Sequence, residues 1–339
     1  MNNFEYKKAQ NVAESINLVA GRENTKFLAG GTNLVDLWKY NITNPDELVD
    51  VNHLDELLQI QTLPNGALRL GASVKNADTA YHPEVENRYP LLSKAILAGA
   101  SPQIRNMASN GGNLLQRTRC YYFYDAEVPC NKRIPGSGCP AKDGHNRIHA
   151  ILGTSEHCIA VFPSDMCVAL AALDAVVNVA GPAGTRAIAF ADFHRLPGDR
   201  PDLDNTLKPD ELITSIDLPD NNFATHYSYL KLRDRHSYAF ALVSVATALQ
   251  LDGDTIVDAR IALGGVAHKP WRSVAAENFL KGKEATTENF GKAADLILEG
   301  AKGFGNNDFK IKLAKKAIQR NCIMALNPDS QEPGAQPSA

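Results

Sequence analysis

The sequence has no uninterrupted apolar stretch of 18 residues, so no segment is long enough to cross a bilayer as a helix. Neither sign of charge dominates: 35 Lys and Arg stand against 38 Asp and Glu, a net charge of −3. That balance excludes the basic footprint of a dedicated nucleic-acid binder. With 44% apolar residues it also excludes an acidic disordered chain. There is no Gly-x-x-x-x-Gly-Lys-Ser/Thr phosphate loop, no closely spaced cysteine pair of the structural-zinc kind and no internal repeat. The first 21 residues carry lysines with no apolar run behind them, so a secretory signal is not expected. What remains is a chain of 339 residues, enough for two or three domains.

The organisation follows from periodicity. Val12, Ala13, Ile16, Val19 and Ala20 fall at helical spacing before Gly21. Residues 26–40 read as strand, glycine turn and helix, and 48–51 as another short strand, which together imply a small parallel unit. Apolar alternation on both sides of Pro64-Asn65-Gly66 predicts a hairpin, where antiparallel structure begins. Residues 90–100 predict a helix entered through Pro90, and Ser164 an N-cap for the helix after it. Residues 175–181 and 211–219 predict strands. From 224 onward come three β segments (226–233, 238–251 and 255–267), the second ambiguous between strand and helix. Three helical patterns follow, at 273–282, 287–301 and 309–326. Strands and helices in blocks indicate an α+β C-terminal domain. Residues 327–339 are polar and Pro-rich and predict a disordered tail.

Three features carry chemistry. The turn Leu-Ala-Gly-Gly-Thr-Asn at 28–33 can form an anion nest from successive backbone N–H groups, although such turns often hold no ligand. Ser109, Gly111, Gly112 and Asn113 repeat that logic, and two such loops suit a dinucleotide better than one. The third feature is the set Cys120, Cys130, Cys139 and Cys158, separated by 9, 8 and 18 intervening residues in a loop broken by Pro129, Pro135, Gly136, Gly138 and Pro140. Four soft thiolates favour an iron–sulfur cluster, with zinc, disulfides or free thiols as alternatives. Cys167 and Cys322 lie in apolar helical patterns and read as core. The Gly-x-Gly-x-x-Ala match at 136–141 lacks the strand and helix a dinucleotide turn needs and is rejected. His145 and His149 have metal-pair spacing but no supporting motif. Asp165 reads first as a helix-start partner, and Lys231 with the charged run 233–236 as a solvated strand edge.

In combination, four stretches resemble the FAD-binding subunits of molybdenum hydroxylases, the xanthine dehydrogenase family. They are residues 27–37 (FLAGGTNLVDL), 101–120 (SPQIRNMASNGGNLLQRTRC), 163–166 (PSDM) and 229–246 (YLKLRDRHSYAFALVSVA), and the resemblance covers about 1–325. The cysteine-bearing insertion narrows it, because it is similar to that of the periplasmic aldehyde oxidoreductases of bacteria, whose flavin subunit carries a [4Fe–4S] cluster in this loop. The family pattern often has proline after the first cysteine, where Tyr121 stands here. Reductases of 4-hydroxybenzoyl-CoA and xanthine dehydrogenases are the nearest alternatives, and a non-enzymatic cysteine-rich metal-binding module is the alternative outside enzymes.

The resemblance implies an α+β architecture: a two-subdomain FAD-binding fold of the vanillyl-alcohol-oxidase type over 1–221 (parts about 1–55 and 56–221, the cluster loop 120–158 inserted), then a small α+β domain over 224–326. It implies FAD contacts from Phe27, Leu28, Ala29, Gly30, Gly31, Thr32, Asn33, Leu34 and Val35 and from Ser109, Gly112 and Asn113. Asp165, Lys231 and the backbone of Ile213 or Ile216 join them, and Cys120, Cys130, Cys139 and Cys158 become cluster ligands. It implies two partners, a large molybdenum-cofactor subunit and a small subunit with two [2Fe–2S] clusters, and an external electron acceptor. The address implied is the periplasm, reached as a passenger on an exported partner, with the cytoplasm as the alternative.

Overall fold

The computed structural model describes residues 1–328, and the predicted disorder of 327–339 falls, from 329 on, outside the described residues. Three sheets organise the chain. The first is parallel, in the order β1 (Glu5–Lys8), β3 (Glu47–Asp50), β2 (Thr25–Leu28), with the helices Val12–Val19 and Leu34–Lys39 as its crossovers. Asn11 caps the first of these through its side chain. The second sheet is antiparallel, in the order β4 (Ile60–Thr62), β5 (Leu68–Gly71), β8 (Leu212–Leu218), β6 (Val176–Gly181), β7 (Gly184–Ala189). The hairpin predicted at Pro64-Asn65-Gly66 joins β4 to β5.

The third sheet is also antiparallel, in the order β12 (Trp271–Arg272), β11 (Thr255–Gly264), β10 (Val243–Asp252), β9 (His226–Leu232). The ambiguous segment 238–251 is therefore a strand from Val243. Its neighbours on both sides and its burial on both faces explain why it shows no clean alternation. One face of this sheet carries the helices Val274–Leu280, Thr287–Ile297 and Phe309–Leu326, packed over Phe290, Ala294, Ile318 and Cys322.

The other face meets two helices, Pro90–Ala98 and Asp165–Ala172, which continue the core into the five-stranded sheet. Ser164 caps the second of these by accepting from the Cys167 N–H at 3.0 Å, as expected. Because that helix is apolar all round, with Cys167, Ala169 and Leu170 fully buried, it can sit between layers. Its first residue, Asp165, is thereby held at the end of a rigid element. Replacing the fully buried Leu170 by Ala should cost about 2–5 kcal/mol. Chemical denaturation measures that loss, and an unchanged midpoint would show that the helix is not the packing hub described.

Candidate functional site

Residues 29–33 join β2 to the helix Leu34–Lys39. Gly31 has φ of +70°, which side chains rarely adopt. A Cβ there would face Val35 Cγ2 at 3.2 Å and Leu28 Cδ1 at 3.4 Å, that is, the protein. The turn needs this glycine for its backbone conformation. Gly30 is needed for packing, because a Cβ there would overlap the Met107 carbonyl. The first loop thus presses against the chain just ahead of the second. The amides of Gly30, Gly31, Thr32 and Asn33 donate to no acceptor among the described residues. Consecutive unspent N–H groups in a tight turn are a cradle for an anion such as a pyrophosphate.

The second loop uses its amides differently. Asn110 and Gly111 donate to Val74 and Ala72 carbonyls, and Gly112 to the Ser109 hydroxyl at 3.3 Å. Ser109 is a buried cap, while Gly112 and Asn113 line the cavity described next; the Asn113 side chain donates to Asn76 Oδ1 at 2.7 Å and accepts from Ser164 Oγ at 2.6 Å. Asn33 joins the loops by accepting from the Arg117 N–H at 2.8 Å.

Between the loops opens a cavity of about 730 Å³, within the range of cofactor pockets. Thr32, Asn33, Gly112, Asn113, Asp165 and Lys231 line it. Of the other expected contacts, Phe27, Leu28, Ala29, Gly30, Gly31, Leu34, Val35 and Ser109 are not among the lining residues, and Phe27 and Ala29 pack instead against the apolar cluster of Val51 and Leu54. Ile213 and Ile216 belong to the core of the second sheet, with Ile213 backing Gly111. Lys231 departs from the solvated-edge reading. Its side chain is 3% exposed and bonds to Asp165 at 2.8 Å and to the Ala98 carbonyl at 3.1 Å. The Tyr229 hydroxyl donates to the same carboxylate at 2.7 Å. Asp165 is therefore an oriented carboxylate at the cavity wall, whereas the following charges, 234–236, are exposed as expected.

Arg119 is a site residue not singled out on the sequence. It lines this cavity and an adjoining one of about 220 Å³, lies 4.9 Å from the Phe240 ring centre, and has its pKa lowered by burial. Its position directly before the first cysteine of the loop was the available signal.

Cys120, Cys130, Cys139 and Cys158 line a single small pocket of about 10 Å³, and all four are free thiols. Burial pushes the Cys120 thiol up to about 12. A hydrogen bond from Cys158 favours a thiolate at Cys139 and keeps the proton on Cys158. No three His, Cys, Asp or Glu residues among those described form a ready-made group for a metal ion, which bears on zinc and iron alike. The four thiols lining one pocket have the donor chemistry a tetrathiolate cluster needs. His145 is exposed while His149 is buried beside Cys120, so the two do not form a pair. Cys167 and Cys322 are core residues, as expected.

The two sites share an anchor. The carboxylate of Asp204 accepts from Arg117 Nε at 2.6 Å and from Lys132 Nζ at 2.5 Å. Arg117 follows the second glycine loop, and Lys132, whose side chain is 1% exposed, lies two residues past Cys130. Burial opposes charge on Asp204, yet Lys132 and Arg117 outweigh it and hold the carboxyl below its ordinary value of 3.8. A depressed folded value means stability that is present above 3.8 and lost as pH falls through the folded value. Asp204→Asn should lower stability at pH 7 by about 3–5 kcal/mol, since Lys132 is left buried without its partner. It should also flatten the acid limb of stability against pH. Denaturation followed from pH 7 down through 3.8 and well below it tests both, and an unaltered limb would remove Asp204 from this role.

Residues 2–221 match the family described as the FAD binding domain in molybdopterin dehydrogenase. Residues 227–323 match the CO dehydrogenase flavoprotein C-terminal domain. The chain is 49% identical to the aldehyde oxidoreductase FAD-binding subunit PaoB of Escherichia coli K12, over 94% of this chain and 96% of that one. It is 28% identical to the glyceraldehyde dehydrogenase medium chain of Sulfolobus acidocaldarius, over 83% and 82%. Among solved structures, carbon monoxide dehydrogenase of Hydrogenophaga pseudoflava superimposes with a TM-score of 0.75 at 25% identity, covering 96% of this chain and 98% of that one. Quinoline 2-oxidoreductase of Pseudomonas putida 86 gives 0.73 at 26%, covering 99% of each. With its unspent loop amides and the cavity between two glycine loops, the chain belongs to the FAD-binding subunits of the molybdenum hydroxylases, the medium chains of multi-subunit oxidoreductases.

Proposed function

We propose that this chain is the FAD and iron–sulfur subunit of a heterotrimeric, molybdenum-dependent aldehyde oxidoreductase. The observation that carries the aldehyde assignment is the 49% identity to an aldehyde oxidoreductase subunit across nearly the whole of both chains. In the complex, a large subunit with the molybdenum cofactor oxidises aldehyde and water to carboxylic acid, releasing two electrons and two protons. A small subunit with two [2Fe–2S] clusters carries those electrons to FAD, and an external acceptor takes them away. When bound, FAD supplies a centre that can accept electrons singly and release them in pairs. The amides of residues 30–33 hold its pyrophosphate. Gly112, Asn113 and the Asp165 carboxylate orient the rest, and Arg119 with its aromatic neighbours limits access of water.

The cysteine loop holds a [4Fe–4S] cluster on Cys120, Cys130, Cys139 and Cys158, which serves a structural or auxiliary role. Four free thiols facing one pocket support this reading. The complex works in the periplasm, and this subunit travels there as a passenger on a partner that bears the export signal.

The purified complex tests the assignment. Cys139→Ser should remove about four irons per heterotrimer and leave flavin at least partly bound, with aldehyde still bleaching it. Iron content unchanged by the substitution refutes the ligand set. A flavin-loaded complex that no aldehyde bleaches refutes the substrate class. For the address, deleting the partner's export signal should trap this subunit in the cytoplasm, and its arrival in the periplasm regardless would end the passenger reading.

A further inference from the structure

His149 lies beside the four cysteines with its ring almost wholly buried, 1% exposed. Its Nε2 is 3.0 Å from Cys120 Sγ. A metal-bound cysteine is a thiolate with no proton to donate. In a contact this short between that sulfur and a ring nitrogen, the proton is the ring's, because two facing lone pairs repel.

The ring is also held from behind. The His149 carbonyl accepts from Lys310 Nζ at 2.8 Å and from Asn307 Nδ2 at 3.3 Å, and its N–H donates to the Asn146 carbonyl at 2.9 Å. Asn146 in turn donates to the Phe304 carbonyl at 2.7 Å, and its Oδ1 accepts from the Asn306 N–H at 3.0 Å. Lys310 lies in the helix Phe309–Leu326, and Phe304, Asn306 and Asn307 in the turn before it. Four tethers from this helix and its preceding turn to a loop with little regular structure of its own fix the main chain at 149, and with it the aim of the ring.

We propose that His149 is a positioning residue for the iron–sulfur cluster. Its Nε2–H donates to the sulfur of the ligand Cys120, fixes that ligand's orientation and withdraws electron density from it, so that the cluster is easier to reduce. This rests on the [4Fe–4S] reading given above.

The test is a redox titration of the assembled complex, followed by low-temperature electron paramagnetic resonance, with iron counted in parallel. His149→Phe keeps a ring but removes the donor. His149→Gln keeps an N–H. Both variants should retain the iron of this subunit. The midpoint potential of its [4Fe–4S] signal should become more negative in His149→Phe and lie between that and the unsubstituted complex in His149→Gln. A potential unmoved in His149→Phe with iron intact overturns the proposal and leaves the cluster reading standing. Loss of this subunit's iron in both variants also overturns it, because His149 is then a ligand or a prop of the loop. Absence of any [4Fe–4S] signal from the unsubstituted complex overturns the cluster reading and this proposal together.

Discussion

A glycine at position 30 lets the main chain of the first loop lie against the Met107 carbonyl, and the candidate cofactor cavity is built on that contact. With the two segments touching, Asn33 can accept from the Arg117 amide, and Thr32 and Asn33, the end of the run of unspent amides, line a cavity that Gly112 and Asn113 also line. Any side chain at 30 would push the segments apart and open the cavity. Gly31 matters in a different way, by making the left-handed turn that points its neighbours' amides outward. A dipeptide that looks redundant in the sequence therefore has two separate duties.

The cysteine loop corrects a simple energetic picture. Its scarcity of core-forming residues suggests that only a cross-link could order it against conformational entropy. The apolar cluster there is indeed small, Leu37, Phe123 and Ala160 packed with Cys120 and Cys158. Much of the order nevertheless comes from polar ties. Arg133 donates to the carbonyls of Tyr122 and Phe123 at 2.7 Å each, and Asn131 and Gly138 exchange two hydrogen bonds that close the turn between Cys130 and Cys139. Because these ties satisfy buried polar groups, losing one costs more than the net worth of a hydrogen bond. The loop can hold its four thiols near one another before anything binds them.

How much of this was legible in the sequence depended on range. The strand–turn–helix at 26–40, the hairpin at 64–66, the Ser164 cap and the cysteine set were readable because each rests on residues close in the chain or on a residue type with few uses. The edge strand Glu5–Lys8 was not, since a short, largely exposed strand with charges leaves no apolar period. Lys231 read as a solvated edge because its partner Asp165 belongs to a helix in another layer. The aim of His149 at Cys120 was equally invisible. The spacing to His145 suggested a helix face, yet the segment is irregular, and the ring is directed by tethers from near the C-terminus.

The same long-range ties place the two candidate cofactor sites in one mechanical unit. Asp204 holds Arg117 at the flavin loop and Lys132 in the cysteine loop, and Arg119 with Cys120 bridges the remaining step along the chain. A half-buried carboxylate held by two cationic partners, one of them fully buried, is costly to break and has one good geometry, so it fixes the relative placement of the two loops. On the opposite side, Lys310 and Asn307 fasten the cysteine loop to the helical layer of the third sheet. The loop is thus clamped between the FAD-binding region and the C-terminal helices. A charged group bound at its thiols would act on a frame that neither side can easily move, which lets its influence on the flavin be electrostatic without a conformational change.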